Sequence, residues 1–292
     1  MTSGIILIDK PAGLTSFQAL GQIKKKLGHR KIGHTGTLDK FASGLIVVLA
    51  GSFTRLNPYF TGLDKTYKAK MTFGKETSTL DPEGDIIKEA PIPEFGSIEK
   101  VIPDFIGEIM QIPPDFSAVH IDGKRAYKRK LAGEELEIPP RKIRIDSFDI
   151  LSWDSPDLDV RISCSKGTYI RSIARDIGSA TQSCCYVSEL SRESVGLYKR
   201  EKSITPDVFS PETDLVSGRE VFELLPEIDV LEVTKESIPY IRNGVPFKIN
   251  FTVDQDKLQN DGNLALYDDE TFLGLLEVDK GNFKYGFLVG TK

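Results

Sequence analysis

The sequence predicts an α+β fold. Short strand-like apolar segments interleave with amphipathic helical ones along residues 1–225, and residues 228–292 change to short apolar runs separated by Gly, Asn and Asp. Taken in order, Ile5 to Ile8 reads as a strand that ends in the turn Asp9-Lys10-Pro11-Ala12-Gly13. Thr15-Ser16 offers a helix cap. Phe17, Leu20, Ile23 and Leu27 recur at helical spacing, which predicts an amphipathic helix over 16–28. The glycine-rich loop Gly33-His34-Thr35-Gly36-Thr37-Leu38-Asp39 follows, then Ser43-Gly44 and the run Leu45 to Leu49, a buried strand or core element. Tyr67 to Phe73 alternates like a strand, Asp81-Pro82-Glu83-Gly84 is a turn, and residues 97–107 look helical.

Pro113-Pro114 breaks the chain before a distinct segment, 117–145. It reads as a turn, a basic helix from about Lys124 to Ala132, a stop at Gly133, and Pro139-Pro140. Residues 160–164 read as a strand, 170–180 as a helix, and 207–225 as helix plus linker. From residue 228 the runs Phe247–Phe251, Leu264–Tyr267, Phe272–Val278 and Phe287–Val289 predict a small all-β module.

Bulk properties narrow the function classes. A chain of 292 residues suits one large domain with a small appendage, and 39% hydrophobic with 28% charged residues excludes a disordered or membrane-embedded class. The three cysteines (Cys164, Cys184, Cys185) form no Cys-x-x-Cys pair, so neither zinc nor a disulfide framework is expected, and a reduced, cytoplasmic protein is. The first residues lack the pattern of a signal peptide, and no apolar stretch approaches the ~18 residues of a membrane span. A monomer is the default.

The net charge of −5 is unevenly spread. Residues 226–292 carry twelve acidic and seven basic side chains, so the rest is neutral. Within it, residues 1–40 hold seven basic against two acidic, and residues 117–145 hold eight against four. Local basic patches of this kind bind phosphates regardless of whole-chain charge. Tyr127, amid Lys124, Arg125, Lys128, Arg129 and Lys130, can stack on a base while its neighbours contact phosphates; a solvated helix is the alternative.

Asp39 is the residue with most chemistry in prospect. A carboxylate on a tight loop at the edge of a rigid core is a common way to present a nucleophile or base. On these residues alone, a turn aspartate that hydrogen-bonds its own backbone is the favoured reading.

The string Gly33-His34-Thr35-Gly36-Thr37-Leu38-Asp39-Lys40-Phe41-Ala42-Ser43-Gly44-Leu45 closely resembles the catalytic motif of the tRNA pseudouridine synthase B family, enzymes that convert uridine 55 of tRNA to pseudouridine. Gly4 to Ser16 resembles the family's amino-terminal signature, Asp64 to Ala69 its second motif, and Cys164 to Ser172 its third. All four stand in the family's order and span most of residues 1–200.

The resemblance implies a large mixed, mainly antiparallel sheet with flanking helices and a central catalytic cleft over residues 1–227, with 117–145 inserted to grip tRNA. It further implies a small PUA-like module over 228–292, whose acidity argues against strong phosphate binding. Asp39 matches the nucleophile, Tyr67 the residue that takes the proton from uracil C5, and Arg171 the aspartate's partner. His34 matches the group that enters RNA near the flipped base, Tyr169 and Leu190 the lining of the uracil pocket, and Lys10 with Pro11 a pair that orients the loop. The implied partner is the T-arm of tRNA, with no metal or organic cofactor. One departure lies in the key motif, since the family commonly has proline where this chain has Lys40; lysine loosens the loop and adds a charge beside the carboxylate. Two other classes fit parts of the sequence: an RNA-binding module without catalysis, disfavoured by the intact Asp39, Tyr67 and Arg171 set, and a sugar hydrolase, disfavoured by the lack of a second well-placed carboxylate.

Overall fold

A computed structural model describes residues 2–28, 31–117, 120–121, 124–125, 129–130, 134 and 137–290, with backbone only at 120–121 and 124–125. Strands in chain order are β1 (Gly4–Lys10), β2 (Ile32–His34), β3 (Ser43–Ala50), β4 (Lys65–Phe73), β5 (Lys75–Thr77), β6 (Ile86–Glu89), β7 (Gly107–Gln111), β8 (His120–Ile121) and β9 (Lys124–Arg125). They continue as β10 (Arg141–Asp154), β11 (Asp157–Cys164), β12 (Cys185–Val195), β13 (Tyr198–Lys199), β14 (Ile228–Glu232), β15 (Gly262–Asp268), β16 (Thr271–Asp279) and β17 (Asn282–Leu288).

A nine-stranded sheet runs β1-β3-β12-β4-β11-β10-β7, with β2 beside β3 and β13 beside β12. Its described pairings are antiparallel except a short parallel one, Ser191 against Ser43 and Arg192 against Gly44. That pairing sits beside the glycine-rich loop and brings β12 into the site. It demands a glycine: Gly44 has φ +110°, and a Cβ there would lie 2.4 Å from the Arg192 carbonyl oxygen. Gly33 and Gly36 adopt no positive φ, so this close approach, not the loop itself, is where the motif needs glycine most.

The run Leu45 to Leu49 is uninterrupted because β3 is buried on both faces. Ile46 and Val48 join Ile6, Ile8, Ile23 and Ile173 in one core; Leu45, Val47 and Leu49 join Ile5, Phe53, Phe222 and Phe272 in another. The second core also takes in Ala265, Tyr267 and Leu275 of the four-stranded sheet β14-β15-β16-β17, which is thereby packed against the back of the large sheet. The site is therefore built on a doubly covered strand, where each fully buried aliphatic side chain contributes about 1.5–3 kcal/mol.

Helices Ser16–Leu27 and Ile170–Ala180 form where expected. Thr15 closes a capping box with Gln18, its Oγ1 accepting from the Gln18 amide at 3.1 Å while its own amide donates to Gln18 Oε1 at 2.9 Å. Three expectations change. Phe17 is 77% exposed, under Lys24, and is not part of the buried stripe, which runs through Ala19, Leu20, Ile23 and Leu27. Residues 249–251 form a 3-10 turn where a strand was expected, because Phe247 and Phe251 are both buried and stack edge to face at 5.6 Å, a contact that alternation cannot make. In the segment 117–145, Lys124–Arg125 pairs with His120–Ile121 as a hairpin, so no helix begins at Lys124. Tyr127 lies outside the described residues.

Candidate active site

Asp39 ends the loop after β2, and its backbone is held from four directions. Arg192 Nη2 and Nη1 donate to the carbonyls of Gly36 and Thr37, at 3.1 and 3.4 Å. Ser16 Oγ, in the first turn of its helix, bonds both the carbonyl and the amide of Leu38 at 3.0 Å. The Asp39 carbonyl accepts from Ala42 N, and that of Lys40 from Gly13 N. Lys10 Nζ, fully buried, donates to the carbonyls of Pro11, Leu14, Lys40 and Ala42. Burial pushes the Lys10 ammonium down to about 8, while Asp39 opposes that shift. The loop is thus fixed without proline at position 40. Lys40 itself points outward to Glu83, at 2.9 Å, so its charge is spent on the neighbouring turn.

The Asp39 carboxylate opens onto a cavity of about 490 Å³ lined by Tyr67, Tyr169, Leu190, Arg171, Arg192 and the loop residues 35–38. Arg171, buried in the first turn of its helix, has Nε 2.9 Å from Asp39 Oδ2; the N–H is not aimed along a hydrogen bond. Its Nη1 donates to the Thr79 carbonyl at 2.8 Å and to Asp81 Oδ2 at 3.2 Å, and Nη2 to the Phe116 carbonyl. One guanidinium therefore serves two carboxylates. Burial raises Asp39 above the usual carboxylate range; Arg171 pulls it back and Asp81 pushes it further up.

Tyr67 on β4 stands opposite Arg192 of β12 in the sheet register. Burial raises its phenol, and the Arg192 charge opposes that. Tyr169 is held at three points: its amide and carbonyl both bond the Gln111 side chain, at 2.9 and 3.0 Å, and the Arg141 guanidinium lies 4.8 Å over its ring. Leu190 is 8% exposed, at the cavity wall.

Two sequence candidates are not part of the cavity wall. Lys10 acts from behind the loop. His34 ends β2 just before the lining begins at Thr35, with its Nδ1 buried and unpartnered among the described residues. Burial first, and then Arg192, lower its pKa, which favours the neutral imidazole.

Two functional residues were missed. Asp81 reads as a turn aspartate and is one: its Oδ1 accepts from Thr79 Oγ1 and the Glu83 amide, while Oδ2 turns inward to Arg171. Nothing local in the sequence separates that second contact from an ordinary turn. Arg192 left a signal, since it stands two residues after Leu190 on a strand and so faces the same side.

Known proteins resemble this chain in sequence and in fold. The family model described as TruB family pseudouridylate synthase (N terminal domain) matches residues 24–170. Proteins named tRNA pseudouridine synthase B are similar: that of Borreliella burgdorferi is 45% identical over 88% of this chain and 91% of its own, and that of Borreliella afzelii 40% over 98% and 99%. The Treponema denticola protein of that name is 36% identical over 96% of each. The fold matches a chain in the crystal structure of a Cbf5-Nop10-Gar1 complex, with a TM-score of 0.65 and 22% identity over 100% of this chain and 84% of that one. The chain belongs to the TruB family of pseudouridylate synthases.

Proposed function

We propose that this protein isomerises uridine 55 in the T-loop of tRNA to pseudouridine, with Asp39 as the nucleophile and the uridine flipped into the cavity. The observation that carries the reading is the Asp39 carboxylate, aimed into a cavity walled by Tyr67, Tyr169 and Leu190 and paired with buried Arg171. The names of the relatives support tRNA as the substrate.

A uridine stacked inside the folded T-arm cannot reach Asp39, and extruding it costs a few kcal/mol. His34, one residue outside the cavity, enters the vacated space, Tyr67 stacks on the extruded base, and Tyr169 lines its pocket. Asp39 then attacks, at C1′ of the sugar or C6 of the base. The bond between C1′ and N1 breaks, the uracil turns within the pocket, C1′ bonds to C5, and the bond from carbon to Asp39 breaks to return the carboxylate. The Tyr67 phenol relays the proton: it accepts the one on C5 and gives up its own, and N1 gains one, so Tyr67 is unchanged overall. No electrons are gained or lost overall, so the reaction as written needs no redox cofactor. Arg171 keeps Asp39 ionised and aimed.

Residues 1–227 form the catalytic domain in this reading, with 117–145 contacting the T-arm and 228–292 as a small PUA-like β module. The test is to incubate the purified protein with unmodified tRNA and map pseudouridine by carbodiimide-dependent reverse-transcription stops. A stop specific to position 55 is expected. Absence of any stop, or stops only elsewhere, overturns the reading.

A further inference from the structure

We propose that Arg192 is a positioning residue for the reaction, tying the Gly36–Asp39 loop to strand β12 and holding Tyr67 in place. This rests on the functional reading above. Arg192 is 2% exposed, and among the described residues no carboxylate pairs with it. A buried guanidinium without an anion carries a large desolvation cost, which only well-formed hydrogen bonds offset. Those bonds reach backbone carbonyls around the reactive loop, Leu45 at 2.7 Å, Gly36 at 3.1 Å and Thr37 at 3.4 Å, and the guanidinium also bonds the Tyr67 phenol.

The three carbonyls lie on both sides of Asp39. Gly36 and Thr37 precede it, and Leu45 opens the doubly buried part of β3. One planar group therefore spans the loop and fixes its two ends at a set separation. A lysine cannot do so, because its ammonium is a point donor on a flexible stem. The backbone of Arg192 adds a second constraint, lying against Gly44 closely enough to exclude any side chain there. Tyr67 is directly opposite in the antiparallel register, so the same residue touches the elements that carry both proposed reacting groups. The charge of Arg192 also opposes the effect of burial on the Tyr67 phenol, which eases release of the phenol's own proton.

The test uses the full chain with Arg192→Lys and Arg192→Gln, measuring melting temperature, tRNA affinity, single-turnover rate at saturating tRNA, and the isotope effect for deuterium at uracil C5. The expected result for Arg192→Lys is a melting temperature within about 5 °C of wild type and an affinity within about twofold. Its rate should be lower by about 100-fold, the scale of a misplaced reactive group, with a larger C5 isotope effect than wild type. An Arg192→Lys rate within about threefold of wild type, an unchanged isotope effect, or loss explained wholly by unfolding or lost tRNA affinity in both variants overturns the proposal. If the wild type itself forms no pseudouridine, it is the functional reading that has failed.

Discussion

Arg171 Nε lies 2.9 Å from the Asp39 carboxylate, while Nη1 of the same guanidinium is 3.2 Å from buried Asp81. Asp81 thus anchors the arginine that keeps Asp39 ionised. Asp81→Asn removes the anchor's charge without changing its shape. The expected result is a fall in single-turnover rate of about 10- to 100-fold with tRNA affinity unchanged, measured by rapid quench and filter binding. Because Asp81 pushes the Asp39 pKa up, the acid limb of the rate profile should also move to lower pH in this variant.

Arg171→Gln should do the opposite to that limb. Burial holds Asp39 above the usual carboxylate range and Arg171 opposes it, so losing Arg171 raises Asp39 further. Activity requires the carboxylate and is lost as pH falls through its pKa, so the limb moves to higher pH. The same raised pKa makes ionised Asp39 a cost to folding: stability from this group is present below the unfolded value and lost as pH rises through the folded one. Asp39→Asn is therefore expected to melt higher than wild type at pH 7, by calorimetry.

Lys10 gives an alkaline limb. Its ammonium, pushed down to about 8 by burial, loses its charge above that pH, weakening its hold on the carbonyls of Lys40 and Ala42. Activity should decline as pH rises through 8. Stability has the opposite sign: between 8 and 10.5 the unfolded chain binds the extra proton, so this group's contribution to stability grows with pH. Lys10→Met should be slower throughout and lack the limb, as a pH–rate profile will reveal.

Gln111 is 1% exposed and satisfies both backbone groups of Tyr169. Gln111→Leu leaves them unpaired, at a cost of about 1–3 kcal/mol for a buried group. A lower melting temperature together with a reduced kcat/KM is expected. By contrast Lys40, in an exposed ion pair with Glu83, contributes little. Lys40→Ala should keep its rate within about threefold of wild type, because the loop's carbonyls are held by other donors.

Legibility followed how local the cause was. The helix after Thr15 and the strand Leu45–Leu49 were readable because capping and hydrophobic patterning are properties of neighbouring residues. The roles of Asp81 and Arg192 depend on partners about 90 and 150 positions away in the chain; the spacing of Arg192 from Leu190 gives its side of the strand but not those partners. Phe17 obeyed helical spacing yet faces solvent, since spacing defines a stripe but not its edge. Tyr67, Tyr169, Leu190 and Arg171 were found through family motifs; their shared cavity became visible only in the fold. The concern raised by Lys40 dissolved for the same reason, because Ser16, Lys10 and Arg192 fix the loop from outside it.

In the proposed reaction the Asp39 carboxylate drives the isomerisation. The direct measurement is tritium release from T-arm RNA labelled at C5 of uridine 55, by wild type and by Asp39→Asn. The expected result is stoichiometric release by wild type and none above background by Asp39→Asn, with tRNA binding retained. Full release by the variant, or none by wild type bound to the RNA, would contradict it.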